Sequence, residues 1–60
     1  SEREIEVLRM VSREQTNPAI ALALGLSPKT VERHVTHIYD KLGVMTRAGA
    51  AIYALENGLL

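Results

Sequence analysis

The chain has 60 residues, no cysteine and a formal net charge of zero. This length is enough for one hydrophobic core but leaves no room for a second domain or an enclosed active site. Without cysteine there is no disulfide framework and no thiolate zinc site, and the longest apolar run, residues 19–24, is too short to span a membrane. We therefore expect one soluble domain over residues 1–60, excised from a longer protein because it starts abruptly at a helix cap.

The first predicted element is a helix over about residues 2–12. Ser1 followed by Glu4 forms a capping-box pattern at its start. Apolar residues then share one arc at helical spacing: Val7, Leu8, Met10 and Val11. Glu4 falls inside this arc, and we expect its carboxylate to bond back to the cap in preference to a cation such as Lys41 or Arg47.

Two short capping signals delimit the second predicted helix, over about residues 18–24. Asn17 and Pro18 supply a cap and a residue suited to the first helical turn. Gly25 provides a left-handed end, and Ser27 with Pro28 repeats the cap-and-proline signal directly afterwards. A short helix, a tight turn and a further helix are therefore predicted in succession.

The third predicted helix, over residues 28–42, has the cleanest helical period in the chain. Its apolar stripe consists of Val31, Val35, Ile38 and Leu42. Its opposite, polar face consists of Lys29, Glu32, Arg33, Thr36 and Asp40. Thr46 then caps a fourth helix over about residues 47–57. The chain is thus predicted to be an all-α, four-helix domain containing a helix-turn-helix.

The charges are unevenly distributed along the chain. Residues 1–28 carry a slight negative excess, whereas residues 29–47 carry a small positive one. An excess of this size is also common on an ordinary mixed surface, so charge alone does not indicate nucleic-acid binding. His34 and His37 are too sparse for a metal site, and His34, beside the apolar stripe, is better read as a partly buried, hydrogen-bonded side chain. No catalytic constellation, cofactor motif or metal site is predicted.

The string SPKTVERHVTHIYDKLGV at residues 27–44 resembles the recognition-helix segment of LuxR-type (FixJ/NarL-type) transcription regulators. REIEVL at 3–8, NPAIA at 17–21 and RAGAA at 47–51 resemble the other three helices of that family. The resemblance implies the four-helix DNA-binding domain of a cytoplasmic response regulator, usually C-terminal, whose output is promoter binding and not catalysis. One departure is that the glycine usual near Glu14 is missing.

Position by position, the resemblance places Glu32, Arg33 and Thr36 in the major groove, which agrees with the polar face. Arg33 would read guanine, Glu32 would accept from a cytosine amino group and Thr36 would touch a thymine methyl. A phosphate contact is the alternative for Arg33. Glu32 has three alternatives: pairing with Lys29, pairing with Thr36, or disfavouring wrong sites.

Other polar residues are candidate phosphate contacts because helix starts present unpaired backbone donors. They are Asn17, Lys29, Thr30, Lys41, Thr46 and Arg47. For Arg47 the alternative is a structural role within the domain.

The fourth helix is apolar or small nearly all round. We expect Ala50, Ala51 and Ala54 to pack inward, and Ile52 and Tyr53 to form a homodimer contact, as the resemblance implies. The alternative is scattered apolar exposure, which is common on monomers. The implied partners are double-stranded DNA, a second copy that associates weakly without DNA, and RNA polymerase. A helical protein-interaction module with little DNA affinity is the alternative function.

Overall fold

A computed structural model of the chain describes residues 2–60. Four α-helices follow one another: α1 (Glu2–Ser12), α2 (Asn17–Leu24), α3 (Pro28–Leu42) and α4 (Arg47–Glu56). No strand occurs among these described residues, and none of their helices is long and apolar enough to cross a membrane. The all-α, four-helix prediction is confirmed, although α2 starts one residue earlier than predicted and α4 ends one residue earlier.

A single apolar core lies where the four helices meet. α1 packs against α4 and α3, while α2 packs mainly against α3. The buried hydrophobic residues are Val7, Leu8, Val11, Ile20, Ala21, Val31, Val35, Ile38, Ala50 and Ala54. Because Ala50 and Ala54 are small, the backbone of α4 can lie close to α1. The core therefore uses only one side of α3, whose other side faces solvent.

The start of α2 differs in detail from the prediction. Thr16, not Asn17, is the N-cap, and its hydroxyl oxygen accepts a hydrogen bond from the Ala19 backbone N–H at 3.3 Å. Asn17 is already the first helical residue. Pro18 fits the first turn because the backbone amides there have no partner within the helix, so a missing N–H costs nothing. The predicted cap at Asn17 is therefore wrong by one residue.

The loop between α1 and α2 contains a non-glycine residue with a left-handed backbone. Glu14 has φ 64°, and its N–H donates to the carbonyl oxygen of Val11 at 3.0 Å. The LuxR-type pattern that this sequence resembles usually has a glycine near this position. A side chain in this conformation costs about 1 to 2 kcal/mol relative to the ordinary helical region. The left-handed backbone at Glu14 therefore adds strain to this loop.

A three-residue turn joins α2 to α3. Gly25 adopts φ 68°, a conformation that glycine reaches without steric cost, and the N–H of Leu26 donates to the carbonyl oxygen of Ala21 at 2.9 Å. Ser27 then caps α3 by accepting from the backbone N–H of Thr30 at 3.1 Å. The tight turn fixes α3 across α2, so these two helices form a helix-turn-helix.

Candidate nucleic-acid interface

The solvent-facing side of α3 gathers the residues predicted to read bases. The helix buries Val31, Val35 and Ile38 on its core side, so the opposite side is exposed. A shallow groove on that side is lined by Glu32, Arg33, Thr36, His37 and Asp40. The predicted apolar and polar faces of α3 are therefore confirmed.

Glu32 and Arg33 are neighbours on this face, but only Glu32 has an ion-pair partner among the described residues. Lys29 Nζ lies 3.6 Å from Glu32 Oε1, which is one of the pairings considered for Glu32. Both side chains are well exposed, so the pair contributes little to stability and can be broken at small cost. Arg33 is exposed, and within residues 2–60 its guanidinium has no hydrogen-bond or ion-pair partner. Its donors remain available to an external acceptor.

Thr30 is committed to the start of α3. Its hydroxyl lies 2.9 Å from that of Ser27, and its backbone N–H donates to the same Ser27 oxygen. Thr46 has a matching role at α4, where its hydroxyl oxygen accepts from the Gly49 N–H at 3.0 Å. Both threonines thus fix helix starts, and their predicted phosphate contacts stay predictions.

Arg47 connects the start of α4 to the start of α2, the first helix of the helix-turn-helix. Its Nη1 donates to the carbonyl oxygen of Gln15 at 2.7 Å, and its Nη2 donates to Asn17 Oδ1 at 2.9 Å. These bonds join the first residue of α4 to the loop before α2 and to the first residue of α2. The structural role considered for Arg47 is present, and a phosphate contact by Arg47 or Asn17 would be additional to it.

Glu4 links α1 to the C-terminal half of α3. Its side chain is only 13% exposed, and its two carboxylate oxygens contact His37 Nδ1 and, at 3.2 Å, Lys41 Nζ. The hydrogen bonds from His37 and then from Lys41 lower the pKa of Glu4 from 4.5 to about 2. The cation considered as the alternative, Lys41, is thus a partner of Glu4, because this face of α1 packs on α3 and brings Lys41 within reach. The Ser1 cap itself lies outside the described residues.

The exposed apolar side of α4 includes Ile52, as predicted, together with Leu55. Ile52 is 58% exposed and Leu55 is 69% exposed. Tyr53 is half-buried and lines a cleft against α1 and α3 with Leu8, Leu42 and others, so it faces only partly outward. Ala50 and Ala54 are fully buried, as predicted, while Ala51 is half-buried.

The sequence can be placed in a family. A family model described as bacterial regulatory proteins, luxR family, matches residues 1–54. The chain belongs to the LuxR family. This confirms the resemblance drawn from residues 27–44, and it places the chain among DNA-binding transcription regulators carrying a helix-turn-helix.

Two relatives of the LuxR-family domain illustrate the match. The probable transcriptional regulatory protein NarL of Mycobacterium tuberculosis is 47% identical over all 60 residues, which cover 28% of that protein. The response regulator protein VraR of Staphylococcus aureus is 40% identical over all 60 residues, which cover 29% of it. The chain thus spans less than a third of the length of these relatives. No solved structure is significantly similar to it.

His37 is the residue of this LuxR-family domain that sequence reasoning missed. From the sequence, His37 was considered only as a metal ligand, yet it both lines the α3 groove and bonds to Glu4 on α1. Its spacing of four residues from Lys41 puts both side chains on one edge of the helix. That spacing, with Glu4 on the inward arc of α1, was the available signal.

Proposed function

We propose that the chain is the sequence-specific DNA-binding output domain, spanning residues 1–60, of a longer bacterial response regulator, and that α3 enters the major groove. Support comes chiefly from Arg33, whose unpartnered guanidinium lies on the exposed face of α3 beside Glu32 and Thr36. The 15 residues of α3 make a helix about 22 Å long. A major groove about 12 Å wide admits such a helix.

Phosphate contacts around α3 would fix its register on the duplex. Lys29 and Lys41 are both exposed and lie near opposite ends of α3. The first turns of α2, α3 and α4 also present backbone N–H groups that have no partner within their helices. The proposed phosphate-contacting residues at these places are Asn17, Lys29, Thr30, Lys41, Thr46 and Arg47.

A salt titration tests the DNA-binding proposal. Each phosphate neutralised by a lysine or arginine releases counterions, so the logarithm of affinity should fall linearly with the logarithm of salt concentration, by about 0.9 per phosphate. We expect this dependence on duplex DNA, measured by fluorescence anisotropy, despite the zero net charge of the domain. A protein-interaction module would instead show no measurable binding at low salt, and that result would contradict the proposal.

We also propose that two copies bind paired half-sites about one helical turn apart, with a contact through α4. Ile52, three residues before the more exposed Leu55, would lie at the centre of the contact, and Tyr53 at its border. A single short helix buries much less than the roughly 1,200 Å² of a stable interface, so DNA must hold the copies together. Action at promoters would place the protein in the cytoplasm and bring it near RNA polymerase.

Substitution of Ile52 tests the dimer contact. Both Ile52→Glu and Ile52→Lys should abolish cooperative binding to a paired site, because like charges would meet across the two-fold axis. An equimolar mixture of the two variants should restore part of the cooperativity, since opposite charges would then meet. Gel-shift titrations on single and paired half-sites measure the effect. Unchanged cooperativity in both single variants would show that α4 is not the contact.

A further inference from the structure

His37 lies where α1 meets the proposed DNA-facing side of α3. One ring nitrogen, Nδ1, is bonded to the Glu4 carboxylate, yet the side chain remains 63% exposed. Its other nitrogen, Nε2, has no partner within residues 2–60. The ring also lines the same shallow groove as Arg33 and Thr36. His37 is therefore held at one end and open to an incoming ligand at the other.

The Glu4 carboxylate determines which nitrogen of His37 carries the proton. Hydrogen bonds from His37 and Lys41 lower the pKa of Glu4 to about 2, so Glu4 is ionised throughout the physiological range. An ionised carboxylate only accepts hydrogen bonds, so Nδ1 must donate. The neutral ring then has its lone pair on Nε2, whereas the protonated ring has an N–H there.

We propose that His37 is a further DNA-contacting residue, in which Nε2 donates to a backbone phosphate oxygen only when the ring is protonated, and that Glu4 is the positioning residue that holds Nδ1. This rests on the proposed function. A phosphate is the fitting acceptor because His37 and Lys41 lie at the edge of the polar face, where a helix in the major groove meets the DNA backbone. The neutral ring would direct a lone pair at that oxygen and lose the contact.

The charges around His37 leave it responsive to DNA. Glu4 faces it from α1, and its neighbours on α3 are Arg33, Asp40 and Lys41. Glu32 also lines this groove but is paired with Lys29, and His34 lies one turn earlier on α3. The other two carboxylates, Glu4 and Asp40, and the two cations, Arg33 and Lys41, largely offset one another. An incoming phosphate adds a negative charge and favours the protonated ring. DNA binding should therefore take up a proton.

The tautomer is measurable without DNA. At about pH 8, imidazole nitrogen NMR of the 60-residue chain should show the proton of His37 on Nδ1. In Glu4→Gln this preference should disappear, because a side-chain amide can donate as well as accept. A proton on Nε2 of His37 in the wild type would overturn the role given to Glu4, whatever the domain binds.

Affinity for DNA at varied pH and fixed salt tests the contact itself. From about pH 8 to about pH 5.5, wild-type affinity should rise about tenfold, as expected for one charge-assisted hydrogen bond. His37→Gln should lose this gain, and Glu4→Gln should lose most of it. His34→Gln, which changes the other histidine of the chain, should retain it.

The outcomes separate this inference from the proposed function. Salt-dependent DNA binding without a pH effect, or a wild-type pH effect in His37→Gln, would overturn the contact by His37 and leave DNA binding in place. No salt-dependent binding at any pH would overturn both. Thermal melts of each variant identify any loss of folded protein. Because His37 is exposed, we expect His37→Gln to keep the stability of the wild type.

Discussion

Ile20→Ala is expected to lower the free energy of unfolding by about 2 to 5 kcal/mol. Ile20 lies on α2, is 0% exposed and is one of the largest fully buried side chains of the described residues. Its truncation removes apolar burial and leaves a cavity in the hydrophobic core. Because the free energy of unfolding of a domain of this size rarely exceeds about 5 kcal/mol, much of the Ile20→Ala variant should be unfolded at room temperature.

Leu22→Ala is the matched control for this prediction. Leu22 lies two residues further along α2 and is 86% exposed, so its truncation should change stability by about 0.5 kcal/mol or less. Urea unfolding followed by circular dichroism measures both variants. Similar losses in the two variants would mean that α2 packs through a different face, and the placement of the helix-turn-helix on the core would then be wrong.

Local signals made most of the fold predictable. In α3 the stripe that includes Val31 and Val35 repeats at helical spacing, while Ser27 and Gly43 mark the two ends, and the observed bounds match those predicted. α1 and α4 were also located within one residue. Each of these inferences needed only residues that are close in sequence, because capping and periodicity are local properties.

The differences from the sequence analysis arose where two chemically similar residues adjoin or where residues distant in sequence meet. Thr16 and Asn17 are both good N-caps, but Thr16 caps α2 and the Asn17 side chain accepts a hydrogen bond from Arg47. The contact of Glu4 with His37 and Lys41 joins residues more than 30 positions apart. No local pattern encodes such a contact, because it depends on how α1 crosses α3.

In the candidate site too, local features were predictable from the sequence and contacts between distant residues were not. The exposure of Glu32 and Arg33 follows from the phase of α3, which the sequence contains. The bonds from Arg47 to Gln15 and Asn17 depend on the return of α4 to the loop before α2. Sequence reasoning could therefore name Arg47 as important but could not choose between holding the fold and holding phosphate.

Arg33→Ala is expected to weaken binding to a preferred DNA site by about 1 to 3 kcal/mol and to relax discrimination at one base pair. The preferred site is first obtained by selection from random duplexes. Arg33 is exposed on the groove-facing side of α3, and its planar guanidinium can donate two parallel bonds to the N7 and O6 atoms of guanine. Binding to random DNA should change much less.

Two further variants decide whether Arg33 reads a base or holds a phosphate. Arg33→Lys keeps the charge but not the two parallel donors, so base reading predicts lost discrimination with nearly normal affinity for random DNA. Lys29→Ala, at the exposed start of α3, should weaken all sequences alike and reduce the salt dependence by about one phosphate. If Arg33→Lys keeps full discrimination, the contact of Arg33 is to phosphate, because a point charge then replaces the guanidinium without loss.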